Sequence, residues 1–118
     1  RLQGATQADR DAVFAQLNTL RATGLATAIA PLAASPTTQA AAVDMLFKER
    51  AYWLFLTGHR LGDMRRLIRQ YSRTAATVFP TGAMRYRPGN NYGNDVNLVI
   101  PFIERNNPKF TGCLDRNP

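Results

Sequence analysis

The chain has 118 residues, a hydrophobic fraction of 45% and a formal net charge of +7. These values fit one globular domain and exclude a wholly disordered chain. Its basic residues are Arg except for Lys48 and Lys109. Arg makes planar contacts with carboxylates and phosphates. A high-GC genome, which the many Ala residues also suggest, explains the preference for Arg over Lys equally well.

The single cysteine and the lack of a long apolar run limit which disulfides and which membrane-spanning segments the sequence can form. Cys113 cannot form a disulfide within the chain, so it is a free thiol, the partner of a cysteine elsewhere, or an incidental small apolar residue. No run reaches the ~18 apolar residues that cross a bilayer. Because the sequence starts at Arg1 without a signal peptide, we expect a processed or truncated product, with any export signal or lipid-anchor cysteine upstream.

The first predicted helix covers about residues 6–23. Thr6 and Asp9 form a capping-box pattern, apolar residues recur at helical spacing with Arg21 on the opposite face, and Gly24 is a typical stop. The Ala-rich stretch 25–34 predicts at most a short helical turn, which a proline interrupts. A loop that ends in an N-cap follows.

Two more helices are predicted around a Gly-His-Arg break. One runs from residue 38 or 39 to about 57; it is apolar on most sides, so we expect it to be buried. Gly58 ends or kinks it. The other runs from about 59 to 71 or 72, with an apolar face of Leu61, Met64, Leu67 and Ile68 and an outer face of Arg65, Arg66, Arg69 and Arg73. Packed together, the two form an αα-hairpin.

Beyond residue 74 the chain is rich in Pro, Gly and Asn, which is typical of loops. Residues 96–103 are a candidate short strand that Pro101 limits to an edge or an extended segment. The predicted fold class is therefore mainly α: a helix hairpin, similar to a helical repeat, with a long irregular C-terminal tail and little or no strand. We expect one domain, or the C-terminal part of a larger protein, helical over 1–73 and irregular or extended over 74–118.

The charged residues around the break predict ion pairs. Arg60 and Asp63 are spaced to share one helix face, and Glu49 stands beside Arg50, one turn before Trp53. A buried carboxylate needs such a partner. Glu49 and Asp63 could instead be paired for acid–base catalysis if a cleft brought them together, but the many nearby arginines favour ion pairs.

No other pattern indicates catalysis, a cofactor or a metal. His59 is the one histidine, so a His-pair metal motif is excluded, and nothing near Cys113 indicates an activated thiolate. We interpret His59 as a structural histidine at a helix junction. Phosphate-binding loops, nucleophile elbows and zinc spacings are absent from the sequence.

Two segments are candidates for binding a partner. The first is the basic face of Arg65, Arg69 and Arg73, which faces either solvent or an acidic partner; no nucleic-acid reading motif surrounds it, so nucleic acid is not predicted. The second is a loop containing Tyr86, Arg87 and Tyr92. Its aromatic and planar polar groups suit sugar rings or a protein surface, or they fasten the loop to the body.

Several motifs occur in an order that resembles the C-terminal region of the SusD/RagB family. They are Glu49-Arg50, Gly58-His59-Arg60, Asp63-Met64-Arg65-Arg66, Ile100-Pro101-Phe102 with Glu104, Asn107-Pro108 and Gly112. The resemblance covers about residues 44–112. It departs from the family pattern at Thr57, where the family has Glu, and at Leu61-Gly62, where the family has Trp-Phe.

The resemblance implies an outer-membrane or periplasmic lipoprotein of a Gram-negative bacterium, built on tetratricopeptide-like helices. Such a protein assists a TonB-dependent transporter in capturing glycans or peptides, without catalysis or cofactor. The matched residues, Glu49, Arg50, Gly58, His59, Arg60 and Asp63, have an architectural role in this interpretation, and no ligand-binding residue is transferred. The alternative is a SusD-derived structural subunit on the periplasmic face of another membrane complex, respiratory or photosynthetic.

Overall fold

The structure, a computed structural model, describes residues 2–98 and 100–110, apart from the side chains of Phe102 and Arg105. It is mainly helical, as predicted, and the described ranges contain no strand. The helices are α1 (Gln7–Thr23), α2 (Gln39–Trp53), α3 (Arg60–Tyr71) and α4 (Ala75–Val78), followed by a 3₁₀ helix (Phe102–Asn106). The chain forms two compact units, Arg1–Arg60 and Leu61–Pro118.

The two ends of α1 follow the predicted capping chemistry. The Thr6 hydroxyl accepts a hydrogen bond from the backbone N–H of Asp9, and the Asp9 carboxylate accepts one from the backbone N–H of Thr6 at 2.8 Å. This reciprocal pair satisfies two helix N-terminal donors. At the other end, a Cβ on Gly24 would lie 2.6 Å from the Leu20 carbonyl oxygen and 3.0 Å from the Trp53 ring. Gly24 is therefore required by close packing.

The segment between α1 and α2 contains none of the helical turn expected over residues 25–34. Polar groups of α1 hold it in an extended path instead. The Asn18 side chain accepts a hydrogen bond from the Leu32 N–H at 2.8 Å, and the Arg21 carbonyl accepts one from the Ile29 N–H at 2.9 Å. These tertiary bonds replace the local bonds that a helical turn would need.

Helix α2 begins as predicted, with the Thr38 hydroxyl accepting from the Ala41 N–H. It ends at Trp53, about one turn earlier than predicted, because Leu56 (φ +60°) and Gly58 (φ +80°) adopt left-handed backbone conformations that a helix cannot contain. We expected α2 to be buried on most sides; in the structure Asp44, Lys48 and Tyr52 form an exposed face, with Tyr52 68% exposed.

The fully buried apolar side chains of the described residues all lie in the first unit. These side chains come from the N-terminal segment, from α1 and from α2. The core consists of Leu2, Leu17, Ala42, Val43 and Phe47. Their positions on the two helices follow the apolar spacing that predicted both elements.

The second unit starts in α3, whose apolar face, Leu61, Met64, Leu67 and Ile68, is half-buried. The described residues of the predicted segment 96–103 form no strand. Pro101 precedes the 3₁₀ helix, and its fixed φ with no N–H favours that start over ladder pairing. Helix α4 was not predicted, because four residues are too few for a periodic signal. No helix of the described residues is long and apolar enough to span a bilayer.

The attachment of the loop at Ser35 to α1 makes a pH-dependent contribution to stability. The Asp11 carboxylate accepts hydrogen bonds from the Ser35 hydroxyl and from the Gln7 side chain. Both lower the pKa of Asp11 from its ordinary value of 3.8, with Ser35 the larger cause. A group with a depressed folded-state pKa stabilises the protein above its unfolded pKa, and that contribution is lost as pH falls through the folded value.

We therefore expect Asp11→Asn to lower the thermal midpoint at neutral pH, with the difference from the parent shrinking below about pH 4. Ser35→Ala should reproduce the same pH-dependent gap, because it removes the donor from the same bond. Thermal melts followed by circular dichroism across this pH range measure it. A gap of constant size at every pH would contradict the assignment.

Candidate functional site

Glu49 is the centre of a buried polar cluster in the first unit. Its side chain is almost completely buried, yet both carboxylate oxygens are bonded. Arg21 Nη1 donates to Oε1 at 2.8 Å, and the Trp53 indole N–H donates to Oε2 at 3.1 Å. The Arg21 Nε also donates to the Ala30 carbonyl at 2.7 Å. We call Arg21, Glu49 and Trp53 the Glu49 cluster.

The Glu49 cluster has the geometry of a structural ion pair. A general acid or base needs an oxygen within reach of a substrate proton, but the Arg21 guanidinium and the Trp53 indole occupy the two oxygens of Glu49. The partner of Glu49 was not predicted. Arg21 lies 28 residues earlier in the chain, and helical spacing had assigned it to the outer face of α1.

Asp63 is also buried, but its ion pair differs from the predicted one. Arg66 Nη1 lies 3.6 Å from Asp63 Oδ1, whereas Arg60 is exposed at the first position of α3. The predicted Arg60–Asp63 pair is wrong. An acid placed N-terminal to its base matches the helix dipole, and the reverse order opposes it. Asp63 in the first turn of α3 gains from the same dipole.

A network of hydrogen bonds braces the turn between α2 and α3. The Thr57 hydroxyl donates to the Leu54 carbonyl at 2.6 Å and lies 2.9 Å from His59 Nδ1. His59 is exposed, and its Nδ1 lies beside the Thr57 hydroxyl at the end of this turn.

The predicted partner-binding residues lie in the second unit. Arg65 and Arg73 are half-buried and Arg69 is exposed, so the basic face of α3 is less open than predicted. All three arginines have interactions within the protein. Tyr86 is 85% exposed, whereas Tyr92 is only 38% exposed.

Tyr86 lies at the end of a closed loop. The Tyr92 N–H donates to the Gly82 carbonyl and the Met84 N–H to the Asn90 carbonyl, each at 2.8 Å. The Arg85 guanidinium lies over the Tyr86 ring, 5.5 Å from its centre. We call residues 82–92 the Tyr86 loop; it presents one aromatic ring between two exposed arginines, at positions 85 and 87.

A second exposed surface was not predicted, because its residues had been included in a longer α2 that was expected to be buried on most sides. Tyr52, Phe55 and Leu56 are 68%, 72% and 89% exposed. We call these three residues the apolar tip. Periodicity could not identify it, since it depends on where α2 ends. In the sequence, Gly58 after several consecutive bulky residues was the signal that indicated where α2 ends.

Among the described residues, no group of His, Cys, Asp and Glu could hold a metal ion. Cys113 and Gly112 lie outside the described residues. Comparison of the chain with family models, curated proteins and solved structures finds no match. The site must therefore be interpreted from its own geometry.

Replacing Glu49 should destabilise the first unit through its lost ion pair. Glu49→Gln leaves the partly buried Arg21 without its counter-charge, so we expect the free energy of unfolding to fall by about 2 kcal/mol. Lys48→Gln, at an exposed neighbouring position of α2, should change it by less than about 0.5 kcal/mol. Urea unfolding followed by Trp53 fluorescence measures both, and equal effects would refute the role of the cluster.

Gly58 and Gly62 should respond to alanine in opposite directions. Neither has an atom within 4 Å of an added Cβ, so space is available at both. Gly58 has φ +80°, where alanine costs roughly 1–2 kcal/mol. Gly62 lies within α3, where alanine gains roughly 0.5–1 kcal/mol. Denaturant unfolding measures the stability of both variants. A change of the same sign in their free energies of unfolding would contradict this account.

Proposed function

We propose that this chain is a non-catalytic, SusD-like binding protein of the cell envelope, which assists a TonB-dependent transporter in capturing glycans or peptides. The ordered motifs from Glu49-Arg50 to Asn107-Pro108 support the family assignment. Two of the matched residues, Glu49 and Asp63, are buried and ion-paired. That environment is consistent with the architectural role that the resemblance gives them.

The observation that carries the binding role is the sparse apolar packing of the second unit. In the part of this unit that the structure describes, no apolar side chain is fully buried. The apolar face of α3 is half-covered, and Leu98 and Ile103 are 82% and 73% exposed. Helices owe most of their stability in proteins to burial of such a face. A partner protein that covers this unit would supply the missing packing.

The Tyr86 loop is the proposed anchor for that partner. Tyr and Arg are among the residues that contribute most to protein interfaces, and here Arg85 stacks on an 85% exposed Tyr86. The backbone bonds that close the loop reduce the conformational entropy lost on binding. The same exposed ring can stack on a sugar, so a glycan held between chain and transporter is compatible with this arrangement.

A structural subunit on the periplasmic face of another membrane complex, respiratory or photosynthetic, is the second candidate. The charge of α3 favours it, because the helix carries four arginines and one aspartate. A basic face of that kind suits permanent docking on an acidic subunit. Here too the chain has no catalytic role.

Purification of the tagged native protein from membranes in mild detergent tests the proposal. We expect one protein to co-purify stoichiometrically, and Tyr86→Ala to reduce its recovery on the order of thirtyfold, as for an interface hot spot. Leu25→Ala, at a 53% exposed leucine of the first unit, is the control and should leave recovery unchanged.

Mass spectrometry of the partner separates the two candidates. A large β-barrel transporter supports nutrient capture, and a respiratory or photosynthetic complex supports the structural subunit. Undiminished recovery with Tyr86→Ala, or no stoichiometric partner, would contradict docking through the Tyr86 loop.

A further inference from the structure

We infer that the apolar tip, Tyr52, Phe55 and Leu56, inserts into the surface of an anionic lipid bilayer. This contact is separate from the docking proposed above, because it uses residues of the first unit and needs no protein partner. The inference depends on three properties of the tip: its exposure, the fixed backbone beneath it, and the charges around it.

Exposure of the tip increases towards its end. Phe55 and Leu56 are consecutive, and they are 72% and 89% exposed. Exposure of this surface to water is unfavourable, because transfer of a large apolar side chain out of water lowers the free energy. Singly exposed apolar residues are common in soluble proteins. Two adjacent ones at a turn, with Tyr52 one helical turn before, form a compact projection.

The backbone holds Leu56 in place despite an unfavourable conformation. Its φ of +60° is uncommon for a residue with a branched side chain, and glycine or asparagine would adopt it at lower cost. The Thr57 hydroxyl and N–H both bond to the Leu54 carbonyl, which closes the turn around Leu56. A strained, exposed leucine in a braced turn points to a role for the side chain outside folding.

The charges around the tip are positive. Lys48 lies one turn before Tyr52 on α2, Arg60 follows the turn, and both are exposed. Glu49 is the only acid between residues 45 and 60, and it is buried against Arg21. Basic side chains beside inserted apolar ones are attracted to anionic headgroups, and tyrosine favours the interface between headgroups and acyl chains.

The size of the tip favours a bilayer over a protein. A stable protein interface buries about 800 Å² on each partner, which is far more than three side chains and two cations offer. A bilayer sets no such minimum, since each inserted side chain contributes individually.

Co-sedimentation of the purified chain with lipid vesicles tests the inference. We expect binding to vesicles of phosphatidylglycerol and phosphatidylcholine, and little binding to phosphatidylcholine alone. The double variant Phe55→Ala with Leu56→Gly should lower partitioning at least tenfold. Because glycine accepts the backbone of Leu56, this variant keeps the turn, which circular dichroism checks.

Charge and control variants complete the experiment. Lys48→Gln and Arg60→Gln should each lower binding to the anionic vesicles about fivefold. Leu25→Ala, at a 53% exposed leucine elsewhere in the unit, and Tyr86→Ala should bind like the parent. Absence of vesicle binding would overturn the inference. So would unchanged binding of the Phe55/Leu56 double variant, which would indicate adsorption by net charge alone.

Discussion

A single buried carboxylate, Glu49, connects the parts of the first unit. The Arg21–Glu49 ion pair joins α1 to α2, Arg21 reaches on to the Ala30 carbonyl in the connecting segment, and Trp53 closes the other side. Burial of a charge is costly unless it is paired and fully hydrogen-bonded. Glu49 can therefore be buried only while both Arg21 and Trp53 bond to it. It fixes the ends of both helices at one place, beside a glycine that leaves room for the Trp53 ring.

Local chemistry could be predicted from the sequence, and long-range pairing could not. Thr6 and Thr38 each act within four residues of their own position, so the sequence pattern contains all the information that their caps require. The partner of Glu49 depends instead on how α1 crosses α2. Many arginines were available, and spacing within one helix could not select Arg21. For Asp63, the pair with Arg66 follows the order that the helix dipole favours.

The second unit illustrates another limit. Its helix α3 was predictable because apolar residues recur along one face, whereas the loop that follows contains no period. Only backbone bonds between residues such as Gly82 and Tyr92 define the loop, and these depend on turn geometry. The sequence therefore predicted both Tyr86 and Tyr92 as candidate binding residues and could not distinguish them. In the structure the closed loop exposes Tyr86 and covers more of Tyr92, which is why we propose Tyr86 as the anchor.

The buried and exposed features of the first unit are physically linked. Trp53, the last residue of α2, donates its indole N–H to Glu49, so the Glu49 cluster holds the end of α2 in place. The chain then turns through Leu56 and Gly58, whose left-handed backbone conformations prevent the helix from continuing. A looser cluster would leave the last turn of α2, and the turn that follows it, without this anchor. The structural ion pair thereby sets the position of the surface that we propose contacts lipid.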